Sequence, residues 1–204
     1  MKTLVVDYKM GNLGSVERSL EECGASEVIV SENPKDLSSA THIVLPGVGA
    51  FGDGMANLEQ QGWIPALQEA FEAGVPLLGI CLGMQLLADK GHEGGECKGL
   101  GFIPGEVKRL AASGPEERIP HVGWNEVEET KSSPIFEGIL SGTDFYFVHS
   151  YYFAPSDDNH VIATTPYCGR FASAIAKKNT FGIQFHPEKS SKPGLQLLRN
   201  FLKL

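Results

Sequence analysis

The stretch Leu77-Leu78-Gly79-Ile80-Cys81-Leu82-Gly83-Met84-Gln85 limits the possible folds of this chain more than any other segment. Residues 75–80 are continuously apolar, the pattern of a central strand covered on both faces. Residues 82–88 return at once to a helical pattern. Glycines flank Cys81 where the strand and helix backbones must approach closely, and a Cβ there would obstruct them. A thiol carried on such a sharp strand-to-helix turn has the physical logic of a nucleophile elbow, with cysteine in the place of serine. The helix N-terminus adds positive potential and free N–H groups that favour a thiolate. A core cysteine with incidental glycines fits the same nine residues.

The neighbouring segments extend this unit. Residues 3–7 read as a strand, and Leu13, Val16, Leu20 and Cys23 follow at helical spacing, closed by Gly24 as a C-cap. Residues 27–30 and 42–45 read as strands, and 63–72 as a helix stopped by Gly74. Repeated βα units of this kind predict an α/β fold: a central, mostly parallel twisted sheet flanked by helices. Beyond about residue 99 short strand-like runs dominate, at 105–110, 125–128, 144–148, 160–165, 173–177 and 181–185. A closing helix spans 193–202, with Pro193 in its first turn. With no repeat, low-complexity tract or linker, residues 1–204 read as one domain carrying extra strands in its second half.

Composition excludes several partners. The net charge is −8 and no Lys/Arg cluster exceeds two residues, which disfavours a nucleic-acid surface. No apolar stretch approaches the ~20 residues of a membrane span, and the N-terminus shows no signal-peptide pattern. A cytoplasmic protein is expected. Cys23, Cys81, Cys97 and Cys168 show neither CxxC nor zinc-like spacing, so each stands singly.

Two further segments carry chemistry. In Phe181-Gly182-Ile183-Gln184-Phe185-His186-Pro187-Glu188 an apolar run ends at a histidine, and a carboxylate follows two positions later. Pro187 biases the backbone towards an extended form, where i and i+2 project to the same side. Glu188 is then placed to orient His186 as general base and acid for an activated cysteine. The loop Leu45-Pro46-Gly47-Val48-Gly49-Ala50-Phe51-Gly52 follows a strand, and its glycines leave backbone N–H groups free for an oxyanion hole. It equally suits a phosphate cradle, although the Lys-Ser/Thr of a P-loop is missing, or a plain surface turn.

Together these segments resemble the class I, triad-type glutamine amidotransferases over essentially the whole chain. The histidine-biosynthesis branch of that family matches best. The matching residues there are Asp7-Tyr8 with Gly11-Asn12-Leu13, 46–52, 79–85, Pro120-His121-Val122-Gly123-Trp124-Asn125, Tyr146-Phe147-Val148-His149-Ser150-Tyr151, and 184–189 with Ser190-Ser191. The resemblance implies that glutamine acylates Cys81 in a Cys81–His186–Glu188 triad. Leu82 with Val48 or Gly49 would hold the oxyanion after a peptide flip in the loop. Gln85, Glu93, His149, Ser150 and Tyr151 would bind the glutamine. It also implies a partner, a (β/α)8-barrel cyclase that receives the ammonia through a tunnel and makes imidazole glycerol phosphate and aminoimidazole carboxamide ribonucleotide. Pro120, His121, Trp124, Asn125 and Lys189 would face it, although core packing is an equal reading of Trp124. No metal or organic cofactor is implied.

Lys9-Met10 departs from the family, which more often shows Gly-Met or a similar small pair. Paralogous subunits that feed other synthases share the triad. A thiol peptidase would share the elbow, and a non-catalytic binding subunit would share the fold. A Rossmann nucleotide binder is disfavoured, since no G-x-G-x-x-G follows the first strand.

Overall fold

The computed structural model describes residues 2–204. The chain begins with β1 (Lys2–Val6), α1 (Leu13–Glu22), β2 (Glu27–Ser31), β3 (His42–Leu45), α2 (Phe51–Gln60), α3 (Trp63–Glu72), β4 (Leu77–Ile80) and α4 (Leu82–Leu86). It continues through β5 (Lys90–Gly91), β6 (Cys97–Lys98), β7 (Gly105–Arg109), β8 (His121–Glu129), β9 (Thr143–His149) and β10 (Tyr151–Pro155). It ends with β11 (Val161–Thr165), β12 (Phe171–Lys177), β13 (Thr180–Ile183) and α5 (Ser191–Phe201).

Nine strands form one mixed sheet in the order β2-β1-β3-β4-β13-β12-β11-β8-β9. The strands from β2 to β13 in that order are parallel, as the βα repeats predict. From β13 to β9 every pairing is antiparallel, so the parallel character belongs to the half that βα units build. A second, four-stranded sheet has the order β10-β7-β5-β6.

β3, β4 and β13 are buried along their whole lengths, which is why their sequences are apolar without alternation. Alternate residues of β1 feed two cores. Leu4 and Val6 pack with Leu58, Trp63 and Leu67 of α2 and α3. Val5 packs with Leu20, Leu198 and Phe201 of α1 and α5 on the opposite face. Each such aliphatic side chain contributes about 1.5–3 kcal/mol of burial free energy.

Several features depart from the sequence reading, the short strands β5 and β6 among them. α2 was not expected; Gly52 and Gly54 are unfavourable within a helix. It forms because Phe51, Met55 and Leu58 share one buried face. A Cβ on Gly54 would come within 3.3 Å of Leu82 and Leu86 side chains, so the glycine lets α2 and α4 pack closely. β8 starts at His121, four residues earlier than expected, because the whole Pro-His-x-Gly-Trp-Asn segment pairs with β9. β10 exists because it pairs antiparallel with β7, a non-local partner with no trace in its own pattern. At Lys9 the backbone takes φ 67°, a left-handed value that glycine adopts freely. Lys9 makes ion pairs with half-buried Asp7 and exposed Glu32.

The elbow allows no side chain at its flanks. A Cβ on Gly83 would lie 1.7 Å from the Leu45 carbonyl oxygen, and one on Gly79 would lie 2.7 Å from the Gly83 carbonyl oxygen. Gly83→Ala is therefore expected to prevent folding or to destabilise the chain by at least about 3 kcal/mol, a backbone clash being costlier than ordinary overpacking. Gly52→Ala, in open space within α2, should be neutral or stabilising by ~0.5–1 kcal/mol. Urea unfolding of the two variants distinguishes a steric requirement from general intolerance to substitution.

Candidate active site

Cys81 stands between β4 and α4 at φ 54°, ψ −107°, a backbone state that costs a non-glycine residue roughly 1–3 kcal/mol. The fold holds it there from both sides. The Cys81 N–H donates to the Ile183 carbonyl at 2.8 Å, and the Cys81 carbonyl accepts from Gln85 N–H at 3.2 Å. The in-register pairing of β4 with β13 brings the two chain ends out together, with Ile80 opposite Ile183. His186 follows three residues after β13, anchored by its N–H to the Tyr146 carbonyl at 2.9 Å.

Nδ1 of His186 is 2.8 Å from Oε1 of Glu188, and both side chains are 4% exposed. The expected His186–Glu188 pairing is present, but a short 3-10 turn opened by Pro187 makes it, in place of the extended segment expected. Nε2 is left buried and unbonded, available to the nearby Cys81. Burial by itself lowers the His186 pKa, but interaction with Cys81 and then with Glu188 outweighs it and lifts the value to about 9. The imidazole therefore readily holds a proton taken from the thiol. Tyr8, also fully buried, has an unpartnered hydroxyl against Gly47. Burial, and then the charge of Cys81, keep it protonated.

Cys81 opens onto a cleft of about 440 Å³ lined by Gln85, Glu93, His149, Ser150 and Tyr151, and also by Val48, Gly49, Leu82 and Pro120. All five residues expected to bind glutamine and all three expected oxyanion residues thus meet around the thiol. Glu93 arrives from the loop between β5 and β6, where its Oε2 accepts the Phe51 N–H at 2.9 Å. The Leu82 N–H is engaged by the Gly47 carbonyl at 3.2 Å. Gly49 takes φ 116°, which frees the loop for another peptide orientation.

A chain of neutral hydrogen bonds runs behind the cleft. Asn125 Nδ2 donates to His121 Nε2 at 3.2 Å, which leaves His121 Nδ1–H to donate to His149 Nε2 at 3.0 Å. His149 Nδ1–H then donates to the Tyr151 carbonyl at 2.8 Å. Each ring acts once as donor and once as acceptor, so the chain closes only with both histidines neutral. Burial pushes His121 down to about 4. Burial pushes His149 to about 3, where the hydrogen bond to the Tyr151 carbonyl opposes the shift.

His121 therefore does not face outward. It is 3% exposed and stacks on Tyr167 at 3.9 Å and Phe147 at 4.8 Å. Its side chain supports β8 from beneath and is not available to a partner. Trp124 is 52% and Val122 56% exposed on the outer face of the same strand, which removes the core-packing reading of Trp124. The Trp124 ring meets Tyr146 edge-on at 6.1 Å, and Lys189 Nζ lies 5.7 Å from that tyrosine ring. Pro120 is exposed and Asn125 half-buried. Gln184 and Tyr8 also reach the thiol's surroundings; both stand within the matching segments, but no pattern there singles them out for the site.

Comparison with known proteins gives the family of the chain. The family model for glutamine amidotransferase class-I matches residues 4–204, and the chain belongs to that family. Among curated relatives, the imidazole glycerol phosphate synthase subunit HisH of Moorella thermoacetica is 51% identical over 200 residues, covering 98% of this chain and 93% of the relative. That of Aquifex aeolicus is 49% identical over 201 residues, covering 98% and 96%. Among solved structures, PurLQS from Thermotoga maritima superposes with a TM-score of 0.78 at 19% identity, covering 99% and 97% of the two chains. A crystal structure of a glutamine amidotransferase gives 0.77 at 21% identity, covering 98% and 97%. These two structures speak for the fold alone.

The neutral histidine pair carries a pH signature. Both pKa values lie below the unfolded value of about 6.5, so the unfolded chain binds more protons at mildly acidic pH. Their contribution to stability is complete above about 6.5 and is lost as the pH falls towards 4. Thermal unfolding followed from pH 7 to 4.5 should show this decline, and His121→Gln should flatten it whatever its absolute stability. An unchanged slope in the variant would show that His121 does not titrate in this window.

Proposed function

We propose that the chain is the glutaminase subunit of an imidazole glycerol phosphate synthase, hydrolysing glutamine to glutamate and ammonia. The observation that carries the reading is Cys81 on a strained elbow beside the His186–Glu188 pair, opening onto a cleft with one carboxylate, Glu93, at its wall. Relatives at about half identity over nearly the whole chain bear that subunit name, which directs the reading to histidine biosynthesis.

In this mechanism His186 accepts the Cys81 proton, and the thiolate attacks the side-chain amide carbon of glutamine. Negative charge develops on the former carbonyl oxygen. Leu82 N–H and the N–H of Val48 or Gly49 stabilise it, once the Leu82 N–H has left the Gly47 carbonyl. His186 returns the proton to the leaving nitrogen, the C–N bond breaks, and ammonia departs from a thioester. Water, deprotonated by His186, cleaves the thioester and frees glutamate and the thiol. Glu188 holds the imidazole's orientation and stabilises its charged form. Glu93 offers a charge-assisted hydrogen bond to the α-ammonium group. Gln85, His149, Ser150 and Tyr151 complete the substrate pocket.

Ammonia passes to a (β/α)8-barrel cyclase docked on the face that bears Trp124, Val122, Pro120 and Lys189, while the Asn125 side chain turns to the other side of β8 and bonds to His121. An exposed tryptophan beside Val122 and Tyr146 has the character of an interface anchor. Residues 1–204 act as one glutaminase domain, and we assign the reaction to the cytoplasm, where the four free thiols stay reduced.

Purified chain should release glutamate slowly alone and much faster with the matching cyclase and its nucleotide ligand. Cys81→Ala should abolish glutamine-dependent synthesis by the pair, a loss of at least 10³-fold, typical of removing a nucleophile. It should leave synthesis from ammonium salts intact. Loss of both activities contradicts the division of labour, and glutamate release indifferent to the cyclase assigns the chain to another synthase.

A further inference from the structure

Next to the triad lies a buried amide that the mechanism above does not use. Gln184 is 0% exposed, and its Nε2 donates to Cys81 Sγ at 3.6 Å. The amide's orientation is fixed by its neighbours. The Tyr151 carbonyl can only accept, so the Gln85 group facing it at 2.9 Å must be the NH2. The same NH2 donates its second proton to Gln184 Oε1 at 3.1 Å. With its oxygen occupied in this way, Gln184 turns its own NH2 to the sulfur. The backbone is equally settled, since Gln184 N–H donates to the Ser173 carbonyl at 2.9 Å and Cys81 N–H bonds to the preceding residue, Ile183.

We propose that Gln184 is a catalytic residue for the glutamine chemistry, an N–H donor that stabilises the ionised sulfur of Cys81 and is aimed by Gln85. This rests on the reading of Cys81 as the nucleophile. A hydrogen bond to the charged form of an acid favours that form, and a buried donor acts at low local dielectric. When the thiol gives its proton to His186, the negative charge on sulfur meets the imidazolium and the Gln184 N–H. The same N–H has only a neutral, weakly accepting thiol to bond before that transfer. Gln85 therefore has two duties. It lines the cleft where the substrate enters, and it holds the oxygen of Gln184 away from the sulfur, where a carbonyl dipole would oppose ionisation.

The test is the pH profile of Cys81 alkylation by iodoacetamide in the full-length chain, read by mass from the Cys81 peptide. Gln184→Met conserves volume and removes the donor, and its midpoint should rise by about one pH unit, the effect of one hydrogen bond to a charged group. Alkylation near neutral pH should slow several-fold, with kcat/KM for glutamate release in the synthase complex falling in parallel. Gln184→Glu keeps an acceptor for Gln85 but sets a negative charge beside the sulfur, and should shift the midpoint further. It decides the matter if the methionine variant does not fold. His186→Asn is the reference and should also raise the midpoint. Gln184 variants with unmoved profiles, in a chain where His186→Asn shifts its own, overturn the role of Gln184 and leave the triad standing. A profile indifferent to His186→Asn overturns the triad and this proposal together. A lower unfolding temperature with an unmoved midpoint assigns Gln184 to packing and likewise overturns it.

Discussion

Everything near the thiol depends on two parallel strands, β4 and β13, that are distant in sequence and paired in register. Ile80 stands opposite Ile183, and the next residue of each strand leaves the sheet at the same edge. One strand delivers Cys81 into a helix; the other delivers Gln184, Phe185 and His186 into a turn. A slip of one residue would turn every side chain of β13 to the opposite face and withdraw the base from the nucleophile. Close packing on both faces guards against that slip, since Gly79 and Gly182 stand where Gly83 and Met84 leave no room for a Cβ and a shifted register would put a larger residue there.

The histidines around the cleft show how environment divides one residue type into different tasks. His186 lies against Glu188 and Cys81, and opposite charges overcome its burial. His121 and His149 lie among Phe147, Phe171 and Tyr167, with each other and a backbone carbonyl for partners, and stay neutral. Like charges on adjacent rings would be intolerable there, so neutrality is enforced by the pair as well as by desolvation. The same imidazole thus moves protons on one side of the cleft and fixes hydrogen-bond direction on the other.

Much of this was legible in the sequence because it rested on local pattern. The apolar run into Cys81 and the flanking glycines each have a local physical cause, and the elements they imply are present; the His-Pro-Glu spacing marked the pair, although a 3-10 turn and not an extended segment joins it. The cleft lining at Gln85, Glu93 and 149–151 followed from resemblance, since nothing local connects Glu93 with Cys81. The antiparallel half of the sheet, β10 and the inward turn of His121 were not legible, because pairing and facing depend on partners far along the chain. α2 was hidden for a related reason. Its glycines are unfavourable within a helix, and only the fold shows the space that Leu82 and Leu86 need at Gly54.

β9 ends the nine-stranded sheet, and such an edge ordinarily presents unpaired N–H and C=O groups that invite other chains. Here the Tyr146 carbonyl accepts from His186 N–H and the Tyr146 N–H donates to Ser190 Oγ at 3.0 Å. The turn that supplies the base therefore also covers the sheet's open margin. Keeping the protein from self-association and keeping its imidazole in place are, at this position, the same two hydrogen bonds. A chain that lost this turn would expose an adhesive strand as it lost its chemistry, so selection for solubility and selection for turnover act here on one set of atoms.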